Sequence, residues 1–192
     1  MYKDFFFPTP VYVKDIGSSE LNKHLEENIL NLSKTDPGMK KSNKNGWHSR
    51  NDIYNMPEYK ELVGLLFKMQ NEIFEEEGLE PSPFIGNMWA NINPKGGYNT
   101  SHIHSNSLWS GVYYVKTPNN CGKLGIKDPR AISLMTLPKY NKPLKSYQWR
   151  QFYYEAVSGR CIMFPAWLEH FVEPNQSNDL RISISFNFLQ RK

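Results

Sequence analysis

From Phe84 to Gln190 the sequence carries one strand-like segment after another, with no helical period between them. The segments are FIGNMWANIN, SLWSGVYYV, KLGIKD, QFYYEAV, RCIMFP, LEHFVEP and LRISISFNFLQ, and Pro, Gly, Asn or Ser punctuates the gaps. Parallel strands need long crossovers, usually helical, whereas antiparallel strands are joined by turns. Seven short strands in this arrangement therefore predict an antiparallel sandwich or barrel. Several segments alternate. In the first, Trp89, Asn91 and Asn93 share one face and Met88, Ala90 and Ile92 the other.

The N-terminal part reads differently. FFFPTPVYV, within the first 13 residues, predicts an extended entry strand. SSELNKHLEENILNLSK then predicts a helix with Ser18 or Ser19 as N-cap and Leu21, Leu25, Ile29 and Leu32 at helical spacing. His24 falls on its polar side as a surface histidine. A loop is expected over Thr35–Tyr54. A second helix starts near Pro57 and ends before Gly78, with Leu62, Leu66, Met69 and Ile73 as its apolar stripe. The expected fold is mainly β: a jelly roll over residues 84–190, with two helices packed outside it. Residues 1–80 supply the entry strand and helical buttress, and 1–192 form one domain.

Composition narrows the function classes. Aromatic residues make up 14% of the chain, including 11 Phe, 11 Tyr and 5 Trp, which suits a folded core with pocket walls. Cys121 and Cys161 have no metal or disulfide spacing and read as free thiols. The opening MYKDFFFPTPVYVKD is interrupted by charges and prolines, so no signal peptide or transmembrane helix is expected and a cytoplasmic location follows. The net charge is +4. Its cations concentrate in Lys34–Arg50 and Lys127–Arg150, loop-like stretches in which nucleic-acid binding has no further support. The second stretch, 128–150, is long for a loop and contains Tyr140, Tyr147 and Trp149, so it is the expected place for reading a substrate.

Two of the chain's five histidines lie in SHIHS. Residues two apart on a strand point the same way, so His102 and His104 can both reach one metal ion at roughly 2 Å. His170 follows between two strand-like runs. In RISISFNF, Arg181, Ser183, Ser185 and Asn187 form one face and Ile182, Ile184, Phe186 and Phe188 the other. A buried guanidinium is costly without an anionic partner, and Arg is shaped to hold a carboxylate through two parallel hydrogen bonds. The strand therefore reads as a carboxylic acid site near a metal, with Ser183 as a further donor.

The ordered set WANINPKGGYNTSHIHSNSLWSGVYYV, KDPR, FPAWLEHFVEPN and RISISFNF resembles the Fe(II)- and 2-oxoglutarate-dependent dioxygenases. More narrowly, it is similar to a subfamily known from marine bacteria and their phages. The similarity runs from about Gly86 to Phe188. It implies a double-stranded β-helix, the cupin-like jelly roll, with the metal inside its open end. His102 and His170 would be ligands, and Arg181 and Ser183 would hold the far carboxylate of 2-oxoglutarate. The cofactors implied are Fe(II), 2-oxoglutarate and O2, and the activity is hydroxylation of a small molecule or protein side chain.

One position departs from the family pattern. Where an Asp or Glu is usual, two residues after the first histidine, this chain has His104. Three readings stand: a third ligand, a neighbour of the metal with water or an anion in the open place, or a site that binds no iron. Two other functions follow from these: a cupin-like three-histidine dioxygenase or isomerase that does not use 2-oxoglutarate, and a catalytically silent binding module. Zinc is the competing metal. Tyr98, Asn91, Tyr113 and Tyr114 lie on elements expected to flank the pocket, and Tyr98, Asn91 and Tyr113 are the candidates to contact the cosubstrate. His48, in a polar loop, reads as a surface residue.

Overall fold

The structure is a computed structural model that describes residues 1–80, 83–130, 132 and 135–190. Two helices, α1 (Ser19–Thr35) and α2 (Lys60–Glu77), precede most of the strands. The strands are β1 (Tyr12–Asp15), β2 (Asn43–Lys44), β3 (Trp47–His48), β4 (Pro83–Asn93), β5 (Tyr98–His102), β6 (Trp109–Lys116), β7 (Leu124–Lys127), β8 (Gln151–Tyr154), β9 (Arg160–Pro165), β10 (His170–Val172) and β11 (Arg181–Gln190). They form a six-stranded sheet, β1-β9-β6-β11-β4-β3, facing a five-stranded sheet, β2-β5-β10-β7-β8. Every named pairing is antiparallel. This is the expected jelly roll with two helices outside it.

The helices form where expected, for local reasons. Ser18 caps α1 by accepting a hydrogen bond from the Leu21 amide at 3.1 Å. Pro57 opens a 3-10 turn that leads into α2, and Gly78 ends α2 in the left-handed conformation, φ 65°. The inward stripes of both helices are buried against one face of the six-stranded sheet. Leu25, Ile29, Leu62, Leu66, Met88, Ala90, Ile182, Ile184, Phe186 and Phe188 share that core. The opposite face looks into the space between the sheets. There Val112, Tyr114, Ile162 and Phe164 meet Leu124, Ile126 and Leu168 in a second apolar cluster. Beside it, β4 and β11 present Trp89, Asn91, Asn93, Arg181, Ser183 and Ser185 instead.

Two expectations are corrected. The entry strand is confined to Tyr12–Asp15, which pairs with β9, while Phe5, Phe6 and Phe7 stay exposed. Pro8 and Pro10 have no amide to donate, so a ladder cannot be sustained through them. The expected Thr35–Tyr54 loop contains β2 and β3, each two residues long, which extend the two sheets by pairing with β5 and β4. Asp36 ties this segment together by accepting from the Gly38 and Arg50 amides. In the 128–150 stretch, residues 131, 133 and 134 lie outside the described residues. Ser146–Gln148 there forms a 3-10 turn.

β6 and β11 approach closely at Gly111, which pairs with Phe186. A Cβ at Gly111 would stand 2.4 Å from the Phe186 ring and 2.8 Å from the Ile162 carbonyl. Gly111→Ala is therefore expected to destabilise the protein by about 1–3 kcal/mol through overpacking. A lowered chemical denaturation midpoint with an unchanged m-value checks it.

Candidate metal centre

His102 closes β5 and His170 opens β10, and the two are direct cross-strand partners. Their side chains therefore share the inner face of the five-stranded sheet. His104 lies beyond the end of β5 rather than within a strand. Its amide donates to the Ala166 carbonyl at 2.9 Å, which returns the chain to the same place. The ring centroids lie 4.4 Å apart for His102–His170, 4.9 Å for His102–His104 and 5.1 Å for His104–His170. One nitrogen from each ring falls within 4.8 Å of the other two.

Hydrogen bonds on the far side of the rings decide which nitrogens face inward. His102 Nδ1 lies 2.7 Å from the Thr100 carbonyl, and His170 Nδ1 lies 2.9 Å from the Leu168 carbonyl. A carbonyl only accepts, so both Nδ1 atoms carry the proton and both Nε2 atoms keep a free lone pair. His104 is oriented by Asn187, whose Nδ2 stands 3.4 Å from its Nδ1. Asn187 is itself held by Ser110, which donates to its Oδ1 at 2.6 Å, and by Asn87, which accepts from its Nδ2 at 2.5 Å. The Nε2 atoms of His104 and His170 then face each other at 3.3 Å.

Burial keeps the three rings neutral. It pushes His170 down to about 3, helped by the neighbouring His102, with the Leu168 carbonyl opposing. It pushes His104 down to about 4, again helped by His102. His102 is lowered by burial against the opposing Thr100 carbonyl. Three uncharged imidazoles are a suitable donor set for a divalent transition metal or zinc. No carboxylate belongs to the cluster among the described residues. The adjacent Glu169 is drawn aside by Ser101, which donates at 2.6 Å, and by Lys127 at 2.7 Å.

Arg181 faces the same inter-sheet cavity and is 1% exposed. One terminal nitrogen donates to the Cys121 carbonyl and, at 3.0 Å, to the Glu173 carbonyl. The other approaches the Gly97 carbonyl at 3.4 Å. A guanidinium has five N–H groups, so Nε and one hydrogen of the second terminal nitrogen stay unused along one edge. Arg181 forms no salt bridge among the described residues, and burial draws its pKa down. Ser183, on the same face of β11, is directly opposite Asn91 on one side and Tyr114 on the other. The Tyr114 hydroxyl, Asn91 Oδ1 and Asn93 Nδ2 are buried without a hydrogen-bond partner. Such groups are costly to leave unmade, and a polar ligand between the sheets would satisfy them.

The predicted residues separate into two groups. His102, His104, His170, Arg181, Ser183 and Asn91 line one cavity. Tyr98 and Tyr113 do not. Tyr98 sits opposite Lys44 at the start of β5, where an irregular register turns Asn99 inward instead. Tyr113 points to the helix side and donates to Asn22 Oδ1 at 2.5 Å. Its neighbour Tyr114 is the tyrosine in the cavity. Because β6 is buried on both faces, its sequence has no alternation to tell the two apart. His48 is buried rather than on the surface, stacked on Trp89 at 5.2 Å, and Trp89 leans on His104 at 5.8 Å.

The family model described as "Putative 2OG-Fe(II) oxygenase", 2OG being 2-oxoglutarate, matches residues 87–187. No curated protein sequence matches. Among solved structures, a prolyl-4-hydroxylase from Pseudomonas putida is similar over 96% of this chain and 94% of its own, with a TM-score of 0.68 and 13% identity. HygX from Streptomyces hygroscopicus, solved with nickel, 2-oxoglutarate and hygromycin B, is similar over 95% of this chain and 83% of its own (TM-score 0.69, 10% identity). The viral collagen prolyl hydroxylase of Paramecium Bursaria Chlorella virus-1, in complex with 2-oxoglutarate, gives 93%, 94%, 0.61 and 12% in the same order. At these identities the likeness is one of fold.

The depressed histidine pKa values carry a stability consequence. Below the usual 6.5 the unfolded chain takes up protons that buried His104 and His170 refuse, so stability falls as pH falls. The loss runs from about pH 6.5 to the folded-state values of about 4 and 3. Thermal midpoints of metal-free protein between pH 7 and 4 test this. The wild type should lose stability more steeply than His170→Gln.

Proposed function

The chain belongs to the 2OG-Fe(II) oxygenase family, and from that premise we propose that it is a hydroxylase whose iron is held by His102, His104 and His170. In the same reading Arg181 and Ser183 hold the far carboxylate of 2-oxoglutarate, with Asn91 and Tyr114 beside it. The observation that carries the proposal is the pairing of two features in one cavity. Three uncharged imidazoles bring one nitrogen each to a common place, and a buried arginine beside them keeps one edge of its fork free without a carboxylate of its own. With these ligands, Fe(II) and 2-oxoglutarate would supply oxygen activation: one atom of O2 goes to the substrate C–H bond and the other to succinate, with release of carbon dioxide.

His104 in place of an acid changes the charge of the site. Three neutral ligands leave both positive charges of Fe(II) to the dianionic cosubstrate, and Arg181 adds a third positive charge. The cavity is narrow, about 40 Å³. A three-histidine metal protein that ignores 2-oxoglutarate is the second reading. The free edge of Arg181 favours the first, because a cupin acting on its substrate alone needs no such clamp. The unpaired thiols of Cys121 and Cys161 support a reducing, cytoplasmic setting, with residues 1–192 acting as one domain.

Three substitutions separate the roles. His102→Ala or His170→Ala should abolish Fe(II) binding. Arg181→Ala should leave the metal bound and weaken 2-oxoglutarate by about 2–5 kcal/mol, the usual loss when one member of a buried charge pair is removed. Anaerobic calorimetry of 2-oxoglutarate into Fe(II)-loaded and metal-free protein measures both, and an unchanged affinity in Arg181→Ala would sink the clamp assignment. His104→Asp restores the usual ligand set and should retain Fe(II). If it alters neither metal affinity nor 2-oxoglutarate affinity, His104 is not a ligand.

A further inference from the structure

A second and larger cavity lies beyond the metal centre, and strand register fixes the distance between them. His102 is paired with His170, His170 with Ile126, and Ile126 with Phe152. Directly paired residues share a face, so one row of side chains crosses four strands on the inner side of the sheet. Strands lie about 4.8 Å apart, which sets Phe152 about 10 Å from His170. At that edge the sheet ends and a cavity of about 760 Å³ opens. Ile126 and Leu168 form its floor toward the metal, and the segment around Lys3–Phe7 forms a wall.

The lining has a distinct chemistry. Trp149 and Phe152 stack at 5.3 Å and 27°, yet each remains 40% exposed. Across from them Phe5 packs on Tyr147 at 5.1 Å, and Lys3 donates to the Tyr147 hydroxyl at 2.8 Å. Two of the cations are already neutralised, Lys127 by Glu169 and Arg130 by a two-pronged pair with Asp128. Lys3 and Arg150 form no ion pair among the described residues. Among the described residues Asp4 is the one lining acid not engaged in such a pair, and the walls keep a positive balance.

We propose that this cavity takes the substrate to be hydroxylated, and that the substrate is a small molecule with a flat apolar body and one anionic group, a carboxylate or a phosphate. The proposal rests on the oxygenase reading and adds the substrate class to it. The volume is that of a small-molecule site, for which about 300–1,000 Å³ is usual. The half-covered Trp149 and Phe152 gain cover from an apolar body, and Lys3 and Arg150 answer its charge. Ile126 and Leu168 stand between this seat and His170, so the ligand's far end reaches the metal as those two side chains give way.

The probes are 1-naphthoate, 1-naphthyl phosphate and neutral 1-naphthamide, titrated into the full chain by calorimetry with and without Mn(II). At least one anion should bind tenfold or more tighter than the amide, and its identity tells carboxylate from phosphate recognition. Lys3→Gln with Arg150→Gln should bring that anion to the affinity of the amide while leaving amide binding unchanged. Trp149→Ala should weaken all three. In Mn(II)-loaded protein the ion should speed proton relaxation of the bound naphthyl ring. Equal affinity for the amide and both anions, absence of naphthyl binding at millimolar concentration, an unaffected anion preference in the double variant, or unchanged relaxation would each overturn the proposal. Failure of the oxygenase reading is separate: Fe(II)-dependent 2-oxoglutarate binding would be missing while naphthyl anions still bound.

Discussion

The alternation of β11 is the constraint on which core and chemistry both depend. Ile182, Ile184, Phe186 and Phe188 are fully buried against the helices. With that set fixed, Arg181, Ser183, Ser185 and Asn187 have only the inter-sheet side left. A slip of one residue would move every one of them to the opposite face. The strand is held on both sides, by β4 over its whole length and by β6 over most of it. The apolar face thus supplies the energy that keeps an arginine, two serines and an asparagine facing the space between the sheets. The same strand reaches both parts of the site, since Arg181 lies at its start and Asn187, against His104, near its end.

Electrostatics divides the labour between those parts. The three histidines avoid charge through burial, and the Thr100 and Leu168 carbonyls keep the proton of His102 and His170 on Nδ1, away from the inward nitrogens. Arg181 cannot avoid charge in this way. Three backbone carbonyls offset part of its desolvation and at the same time fix its plane. Carbonyl dipoles compensate less than a carboxylate does, which leaves the interior with an unmet demand for an anion. The orphaned Tyr114 hydroxyl and the amide atoms of Asn91 and Asn93 gather around that demand.

Much of this was legible in the sequence because periodicity carries orientation. All seven strand-like segments after Phe84 became strands, and the alternation of β4 and β11 assigned their faces correctly. The signal failed where alternation fails. β6 is apolar on both faces, so Tyr113 was favoured although Tyr114 faces the cavity. The irregular β5–β10 register put Asn99 where Tyr98 was expected, and a bulge leaves no mark in composition. β2 and β3 are too short to show a period, and His48 is buried only because β3 lays it against Trp89. His104 reaches the site by a route that strand alignment does not describe. A strand would align it with His102, but a hydrogen bond from its backbone N–H to the Ala166 carbonyl brings it there instead.

The five-stranded sheet acts as a ruler between binding and reaction. Its inner row runs from His102 through His170 and Ile126 to Phe152, and hydrogen-bonded strands cannot change their spacing without breaking the ladder. The walls beyond Phe152 have no such restraint. They come from residues 3–9 and 146–151, which lie mainly outside the strands and leave large aromatic surfaces open to water. Such an arrangement lets the outer cavity change its residues, and hence its ligand, without disturbing the imidazoles or Arg181. The positive balance of the outer walls matches that of the inner cavity, so an anionic substrate and a dianionic cosubstrate would both be drawn to this end of the jelly roll. They would compete less than their charges suggest, because Lys3 and Arg150 line the outer cavity and Arg181 the inner one, and among the described residues the two cavities share no lining side chain.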